Sequence, residues 1–167
     1  MVLTKSELIG QLQNEIRILL HLITKIEPKA IDYRPTEKQR STIEWLRYLA
    51  VMGPVLVKST KVGGFDQAEW VSRSEALKDA DLATVTAAIA KVPDEYAALL
   101  ADVPDDFFRK DIQMFGRTST IGVFLIATVL GGYAAYRTQI FNHLKACGRT
   151  ELGTMNLWGG MDAPPAA

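Results

Sequence analysis

The chain has 167 residues, 48% of them hydrophobic, with 19 Lys and Arg against 19 Asp and Glu and a single cysteine. A chain of this length suits one domain, which can bury about 70% of its unfolded surface without disulfides or structural metals. The formal net charge of zero argues against binding to nucleic acid or to an anionic membrane through bulk charge, and the lone Cys147 excludes an intramolecular disulfide or a cysteine-rich zinc site.

The first helix is predicted over residues 5–26. Thr4 and Glu7 have the spacing of a capping box, apolar residues then recur at helical intervals, and Pro28 ends the pattern. On a helical wheel His21 lies far from the apolar face, so we expect it on the surface and not as a ligand.

A second helix is predicted over residues 41–59. Ser41 and Glu44 form a second capping box at its start. Gly53 and Pro54 should kink or shorten this helix, because proline lacks the amide donor and clashes with the preceding turn.

The middle of the chain is less regular. Residues 60–80 show no sustained period and are expected to form a long loop, an ordinary connector or part of a lid, with Trp70 anchoring it to the bundle. A third helix is predicted over residues 82–103, with a possible break at Pro93. Residues 107–116 should form an extended or irregular link.

A long fourth helix is predicted over residues 119–147 and is the element around which the others pack. The sequence carries no charge between Arg117 and Arg137, and Gly148 supplies a good C-terminal stop. A membrane span is the alternative, but the uncharged segment 118–136 is near the short limit for a span and contains hydroxyl groups and glycines. A buried helix of a soluble protein is therefore favoured.

Four amphipathic segments without a convincing strand predict an all-α fold, a four-helix bundle with a long central fourth helix. We expect the bundle to comprise residues 1–148. Residues 149–167 should form a tail that packs partly on the bundle through Leu157 and Trp158. The lone thiol of Cys147 suits a reducing compartment, so a cytoplasmic location is expected.

Two segments resemble a known family. The sequences DYRPTEKQRSTIEWLRYLA, residues 32–50, and YRTQIFNHLKACG, residues 136–148, resemble the DinB-like (YfiT-like, damage-inducible) family of four-helix bundles. The resemblance implies a bundle in which many members hold a metal ion, some of them as thiol S-transferases that join a low-molecular-weight thiol to an electrophile. It also implies three histidine ligands, one in the second helix and an H-x-x-x-H pair in the fourth that precedes an R-x-Q element.

This chain departs from that pattern at all three ligand positions. Arg137 and Gln139 match the R-x-Q element, which places the paired histidines at Tyr136 and Gly132, and the second-helix histidine at Tyr48. A neutral phenol is a weak ligand for a divalent transition metal and glycine offers none. We therefore predict no metal at the family position and no cofactor.

Two interpretations of these positions remain open. In the first, the tyrosines fill the core, with their hydroxyl groups bonded to Gln139, Arg137 or water. In the second, a small-molecule pocket has Gly132 as its floor and the two phenols as donors. The candidate pocket residues are Tyr48, Gly132, Tyr136, Gln139, Arg137, His143, Glu44 and Trp45.

The predicted function is that of a small-molecule-binding or stress-associated protein. The alternative is a metal-independent transferase that handles thiols or electrophiles through Tyr48 and Tyr136. A homodimer is expected from the resemblance and from the apolar breadth of the second and fourth helices. Neither nucleic acid nor a membrane is expected as a partner.

Overall fold

A computed structural model of the chain describes residues 3–164. The helices run over the following residues: α1 Lys5–Ile23, α2 Pro28–Ile31, α3 Thr42–Val62, α4 Gln67–Leu77, α5 Leu82–Leu100 and α6 Ile121–Ala146. Strands β1 Asp111–Met114 and β2 Arg117–Thr120 form an antiparallel hairpin before α6. A 3₁₀ turn spans Asp105–Arg109, and a π-helical turn spans Met155–Gly159.

Four long helices enclose one core and confirm the all-α prediction. Helix α1 contacts α5 and α6, and α3 contacts the same two helices, so that the order around the core is α1, α5, α3, α6. Leucine and isoleucine side chains from the four helices fill the centre, including Leu12, Leu49, Ile89 and Leu125, all fully buried. Each helix therefore buries one face against two neighbours, as in other bundles.

Both predicted capping boxes are present. The backbone amide of Thr4 donates to Glu7 Oε2 at 2.8 Å, and that of Ser41 donates to Glu44 Oε2 at 2.7 Å. Each box satisfies amides that the first helical turn leaves without partners.

The loop predicted over residues 60–80 is wrong, because the segment contains helix α4. Asp66 caps this helix by accepting a hydrogen bond from the amide of Glu69 at 3.0 Å. Polar contacts then hold the helix in place: Lys58 and Arg73 both bind Glu69, at 2.9 and 2.6 Å. Since α4 has no fully buried residue, it has no apolar stripe for a sequence pattern to reveal.

Neither helix is interrupted at its proline, so the predicted shortening of α3 at Pro54 and the break of α5 at Pro93 do not occur. Helix α3 passes through Pro54 and ends nine residues after Gly53, at Val62, where Gly63 adopts φ 80°. Helix α5 passes through Pro93, whose carbonyl accepts a hydrogen bond from Gln13 at 3.1 Å. Burial of α3 on several sides keeps this segment helical although Pro54 lacks an amide donor.

The absence of strands was likewise predicted wrongly. The link before α6 folds into the β1–β2 hairpin, with Met114 paired with Arg117 across a two-residue turn. Ser119 and Thr120 belong to strand β2, so α6 begins two residues later than predicted, at Ile121. Within α6, residues Leu125–Leu130 are π-helical.

Helix α6 has the length and composition of a membrane span. It nevertheless packs into the bundle, with Leu125, Val129 and Tyr133 fully buried. The core helix of a soluble bundle meets the same criteria, so the helix alone is weak evidence for a span.

The tail contacts α1 through polar groups. Arg17 donates to the carbonyls of Gly159 and Gly160 at 2.9 and 3.1 Å, and Lys25 binds Asp162 at 2.7 Å. His21 lies beneath this segment with its side chain only 16% exposed, so its predicted surface position is wrong. The helical wheel placed it correctly away from the core, but the tail covers that face.

Candidate functional site

A cavity of about 550 Å³ opens between α3, α4, α6 and the tip of the hairpin. Its wall is mainly apolar and aromatic, with polar groups on two phenols, an indole and one threonine. The lining residues are Tyr48, Met52, Leu56, Phe65, Trp70, Phe115, Ala127, Thr128, Gly131, Gly132, Ala135 and Tyr136. No charged side chain lines it among the residues that the structure describes.

Three predicted site residues meet at this cavity. Tyr48 comes from α3, while Gly132 and Tyr136 lie one turn apart on α6. A β-carbon at Gly132 would lie 3.1 Å from both Sδ and Cε of Met52. The glycine therefore allows Met52 to approach the α6 backbone, and the two residues together form one wall.

Aromatic rings fix the two phenols in place. Tyr136 stacks on Trp45, with ring centroids 4.5 Å apart and ring planes at 24°. Tyr48 meets Tyr136 edge to face at 5.2 Å and meets Trp70 at 5.6 Å. The guanidinium of Arg40 lies 4.6 Å from the centroid of the Tyr48 ring and 5.0 Å from that of Trp45, within the range of a cation–π contact. Trp70 does anchor its segment to the bundle, as predicted.

The phenol of Tyr48 is held in its neutral form. Burial, together with the neighbouring Tyr136, raises the pKa of Tyr48 to about 12, whereas Arg40 opposes the shift. A neutral phenol donates one hydrogen bond and accepts others. The group can therefore orient a ligand, but it is a poor base near neutral pH.

Arg137 lies away from the cavity. Its side chain is 1% exposed and pairs with Glu15 of α1. The prediction that it bonds the tyrosine hydroxyls is wrong, because neighbouring helical residues point about 100° apart and Arg137 therefore faces α1 when Tyr136 faces α3.

The remaining candidates also lie outside the lining. Nδ1 of His143 is 3.1 Å from the hydroxyl of Thr42 in a buried contact, and burial lowers the pKa of the imidazole. Glu44 caps α3 and pairs with Arg34 at 3.2 Å. Gln139 is half-buried and does not line the cavity. Trp45 stacks on the ring of Tyr136 and does not line the cavity.

Sequence reasoning missed the opposite wall. Phe65, Trp70 and Phe115 come from segments that were expected to be irregular, and Met52 and Leu56 are apolar residues of a helix, which a buried helix face explains equally well. Their aromatic and apolar character was visible, but only the packing of α4 against α3 and of the hairpin against α6 brings them to one cavity.

The three residues at the positions where the resemblance implies metal ligands are poor ligands for a metal ion. Tyr48 and Tyr136 offer phenols, of which Tyr48 is held neutral by its raised pKa, and Gly132 offers no side chain. Across residues 3–164, no group of three or more His, Cys, Asp or Glu side chains is placed to hold a metal.

Comparison with solved structures identifies the fold. A DinB-like protein of Bacillus subtilis (YjoA), known from a crystal structure, superposes with a TM-score of 0.66 at 16% identity, over 87% of this chain and 94% of that one. The fold is DinB-like. No protein-family profile and no curated protein matches the sequence. At this identity the likeness establishes the fold alone, so function must be argued from the cavity.

Proposed function

We propose that the cavity at Tyr48, Gly132 and Tyr136 binds a small, largely apolar molecule. The observation that carries this proposal is the cavity itself, whose volume of about 550 Å³ lies in the usual range for small-molecule sites. Aromatic and aliphatic walls would supply most of the binding free energy through burial of apolar surface. The phenols and Thr128 would orient a hydroxyl or carbonyl group of the ligand.

The geometry favours a pocket over a filled core. If the two tyrosines replaced the metal site that the resemblance implies by packing alone, their rings would leave no open volume next to them. Instead Tyr136 is stacked on Trp45 and Tyr48 rests against Trp70, and both rings form walls of an open cavity.

The alternative, a transferase that uses Tyr48 and Tyr136 to activate a thiol, receives less support. A general base works best with a pKa near the operating pH, and burial moves the pKa of Tyr48 to about 12. A binding protein needs only the neutral phenol.

Binding of the uncharged fluorescent probe N-phenyl-1-naphthylamine tests this proposal. Ala135 lines the cavity and is exposed, so Ala135→Phe should fold normally and fill part of the space. We expect it to weaken probe binding at least tenfold. Ala97→Phe, at an exposed position of α5 outside the lining, is the matched control and should bind as the wild type does. Equal binding by all three proteins would refute the proposal.

The metal-free state and the homodimer belong to the same proposal. The dimer is supported by exposed apolar side chains on α6, of which Val123 is 56% and Ile126 is 42% exposed. Light scattering of the purified protein would test it, and a monomer at high concentration would contradict it. The stress-associated role and the cytoplasmic location stay predictions.

A further inference from the structure

We infer that the ligand is an elongated amphipathic anion, a free aliphatic carboxylate whose head group binds Arg117. This inference rests on the proposed function and names the ligand class. It depends on a second cavity next to the first, on the single charge that lines the two, and on an unusual residue at the boundary between them.

The second cavity extends the first toward the hairpin. It has a volume of about 460 Å³ and shares Phe115, Ala127 and Thr128 with the first cavity. Together the two follow α6 from Val123 to Tyr136, a distance of about 20 Å at 1.5 Å per residue. This shape suits an extended chain better than a compact ring system.

Arg117 is the one charged side chain in either lining, among the residues that the structure describes. It lies at the start of β2 and forms no ion pair with any residue from 3 to 164. The hydroxyl-bearing Thr118 and Ser119 line the same end. A planar guanidinium binds a carboxylate with two parallel hydrogen bonds, so this end favours an anion and disfavours a cation.

Phe115 stands where the two cavities meet, in a conformation that its side chain does not favour. It is the first of two central residues in the hairpin turn, with φ 53°, followed by Gly116 with φ 73°. Turns of this kind favour asparagine, aspartate or glycine at the first position, and a bulky residue at positive φ is an outlier. The turn therefore holds an aromatic ring against backbone preference.

The ring of Phe115 lies between two other aromatic rings. The side chain is 60% exposed, yet it lies 5.3 Å from the Phe65 ring and 6.3 Å from the Phe124 ring, measured between centroids. It thus spans the groove from the α3–α4 connection to α6 without being buried in the core. An aliphatic chain that runs from Arg117 to Tyr136 would pass this ring and cover it.

Displacement of N-phenyl-1-naphthylamine by octanoate, decanoate and dodecanoate tests the inference. Affinity should rise about tenfold for each two methylene groups, because each adds buried apolar surface. Dodecanoate should bind more tightly than dodecanol, and dodecyltrimethylammonium should bind least. Arg117→Gln should weaken dodecanoate binding threefold to fivefold, as expected for an exposed charge pair, and should leave dodecanol unchanged. Lys91→Gln, which removes an exposed charge from α5, is the control and should change neither.

Phe115→Asn separates the ligand role of this residue from a structural one. Asparagine suits the turn, so thermal stability should stay the same or rise, while dodecanoate affinity should fall at least fivefold. A structural role alone would leave affinity unchanged.

The outcomes distinguish this inference from the proposed function. Equal binding of dodecanoate and dodecanol, unaffected by Arg117→Gln, would overturn the carboxylate assignment and leave the small-molecule pocket intact. Failure of every aliphatic ligand, while the naphthylamine probe still binds and Ala135→Phe still weakens it, would also overturn the inference alone. Binding to phosphatidylglycerol vesicles without binding to monomeric dodecanoate would assign the groove to a membrane surface and overturn it as well.

Discussion

The ring of Tyr136 lies flat against the indole of Trp45, with centroids 4.5 Å apart. This stack holds the phenol toward α3, where the ring of Tyr136 forms part of the cavity wall. A stacked aromatic pair contributes about 0.5–1.5 kcal/mol beyond its buried area. The cavity thus depends on a residue that does not line it, and its two phenols are held by different neighbours.

The first prediction concerns Tyr48 at alkaline pH. Its pKa is about 12 in the folded protein and about 10 in an unfolded chain. Between these values the unfolded state has lost a proton that the native state retains, so the contribution of Tyr48 to the free energy of unfolding should be constant below pH 9 and fall as pH rises from 10 to 12. Burial also raises the pKa of Tyr96, which acts in the same direction.

Urea denaturation at a series of pH values measures this fall. Tyr48→Phe removes one contributing group and should make the decline shallower, with ultraviolet difference spectra showing one fewer late-titrating tyrosine. A decline of equal steepness in the variant would show that Tyr48 titrates as an ordinary phenol.

The second prediction concerns Gly53, where α3 meets two buried tyrosines. The hydroxyl of Tyr133 donates to the carbonyl of Leu49 at 2.9 Å and accepts from Tyr96 at 3.1 Å. Both hydroxyls lie where a β-carbon at position 53 would be. Gly53→Ala should therefore reduce the free energy of unfolding by about 2–4 kcal/mol, through overpacking and loss of these buried bonds.

A matched substitution isolates the steric cause. Gly10 lies inside α1, and a β-carbon at this position would have no neighbouring side chain within 4 Å. Gly10→Ala should therefore stabilise the protein by about 0.5–1 kcal/mol through helix propensity. Chemical denaturation of both variants measures their free energies of unfolding. If both substitutions changed this free energy in the same direction, the tyrosine hydroxyls would not lie against position 53 as described.

Much of this bundle could be predicted from local chemistry. The capping boxes at Ser41 and Thr4, the apolar stripes and the glycine at position 148, with φ 97°, are short-range features that keep their meaning in any fold. The sequence did not predict helix α4 because the helix has no apolar period. Ion pairs of Lys58 and Arg73 hold it in place. Those partners are set by tertiary structure.

The candidate site was predictable only in part. The resemblance placed Tyr48, Gly132 and Tyr136 at the three metal-ligand positions that it implies, and the structure brings these residues together at one cavity. It could not place Phe115, because the hairpin turn that presents this ring depends on pairing across β1 and β2. Nor could it show that Arg137 turns toward α1, since Glu15 lies far away in sequence.

The third prediction concerns the pair formed by Arg137 and Glu15. The arginine side chain is 1% exposed and the glutamate side chain 17% exposed. Removal of one partner leaves a buried charge without compensation, so Glu15→Ala should reduce the free energy of unfolding by about 3–5 kcal/mol. Glu75→Ala breaks an exposed pair with Lys78 and should cost less than about 1 kcal/mol.

A double variant tests whether the cost comes from the stranded charge. Glu15→Leu combined with Arg137→Met replaces the pair by apolar groups and should recover part of the stability lost in Glu15→Ala. If the double variant were less stable than Glu15→Ala, the pair would contribute net stability of its own.

The fourth prediction concerns the three positions at which the sequence resemblance implies metal ligands. The wild type, purified without chelator, should contain well under one equivalent of zinc or nickel. A triple variant, Tyr48→His, Gly132→His and Tyr136→His, should bind one equivalent, because the rings of Tyr48 and Tyr136 are 5.2 Å apart and Gly132 lies one turn from Tyr136. The flexible side chain of Met52, 3.1 Å from a β-carbon at position 132, can move to admit the third imidazole.

Cobalt absorption spectra and elemental analysis would measure metal binding at this site. The double variant Tyr48→His and Tyr136→His is the control that lacks one ligand. A folded triple variant that binds no metal would show that these positions do not converge as the sequence resemblance implies. A stoichiometric metal in the wild type would show that the two phenols and glycine do not exclude one.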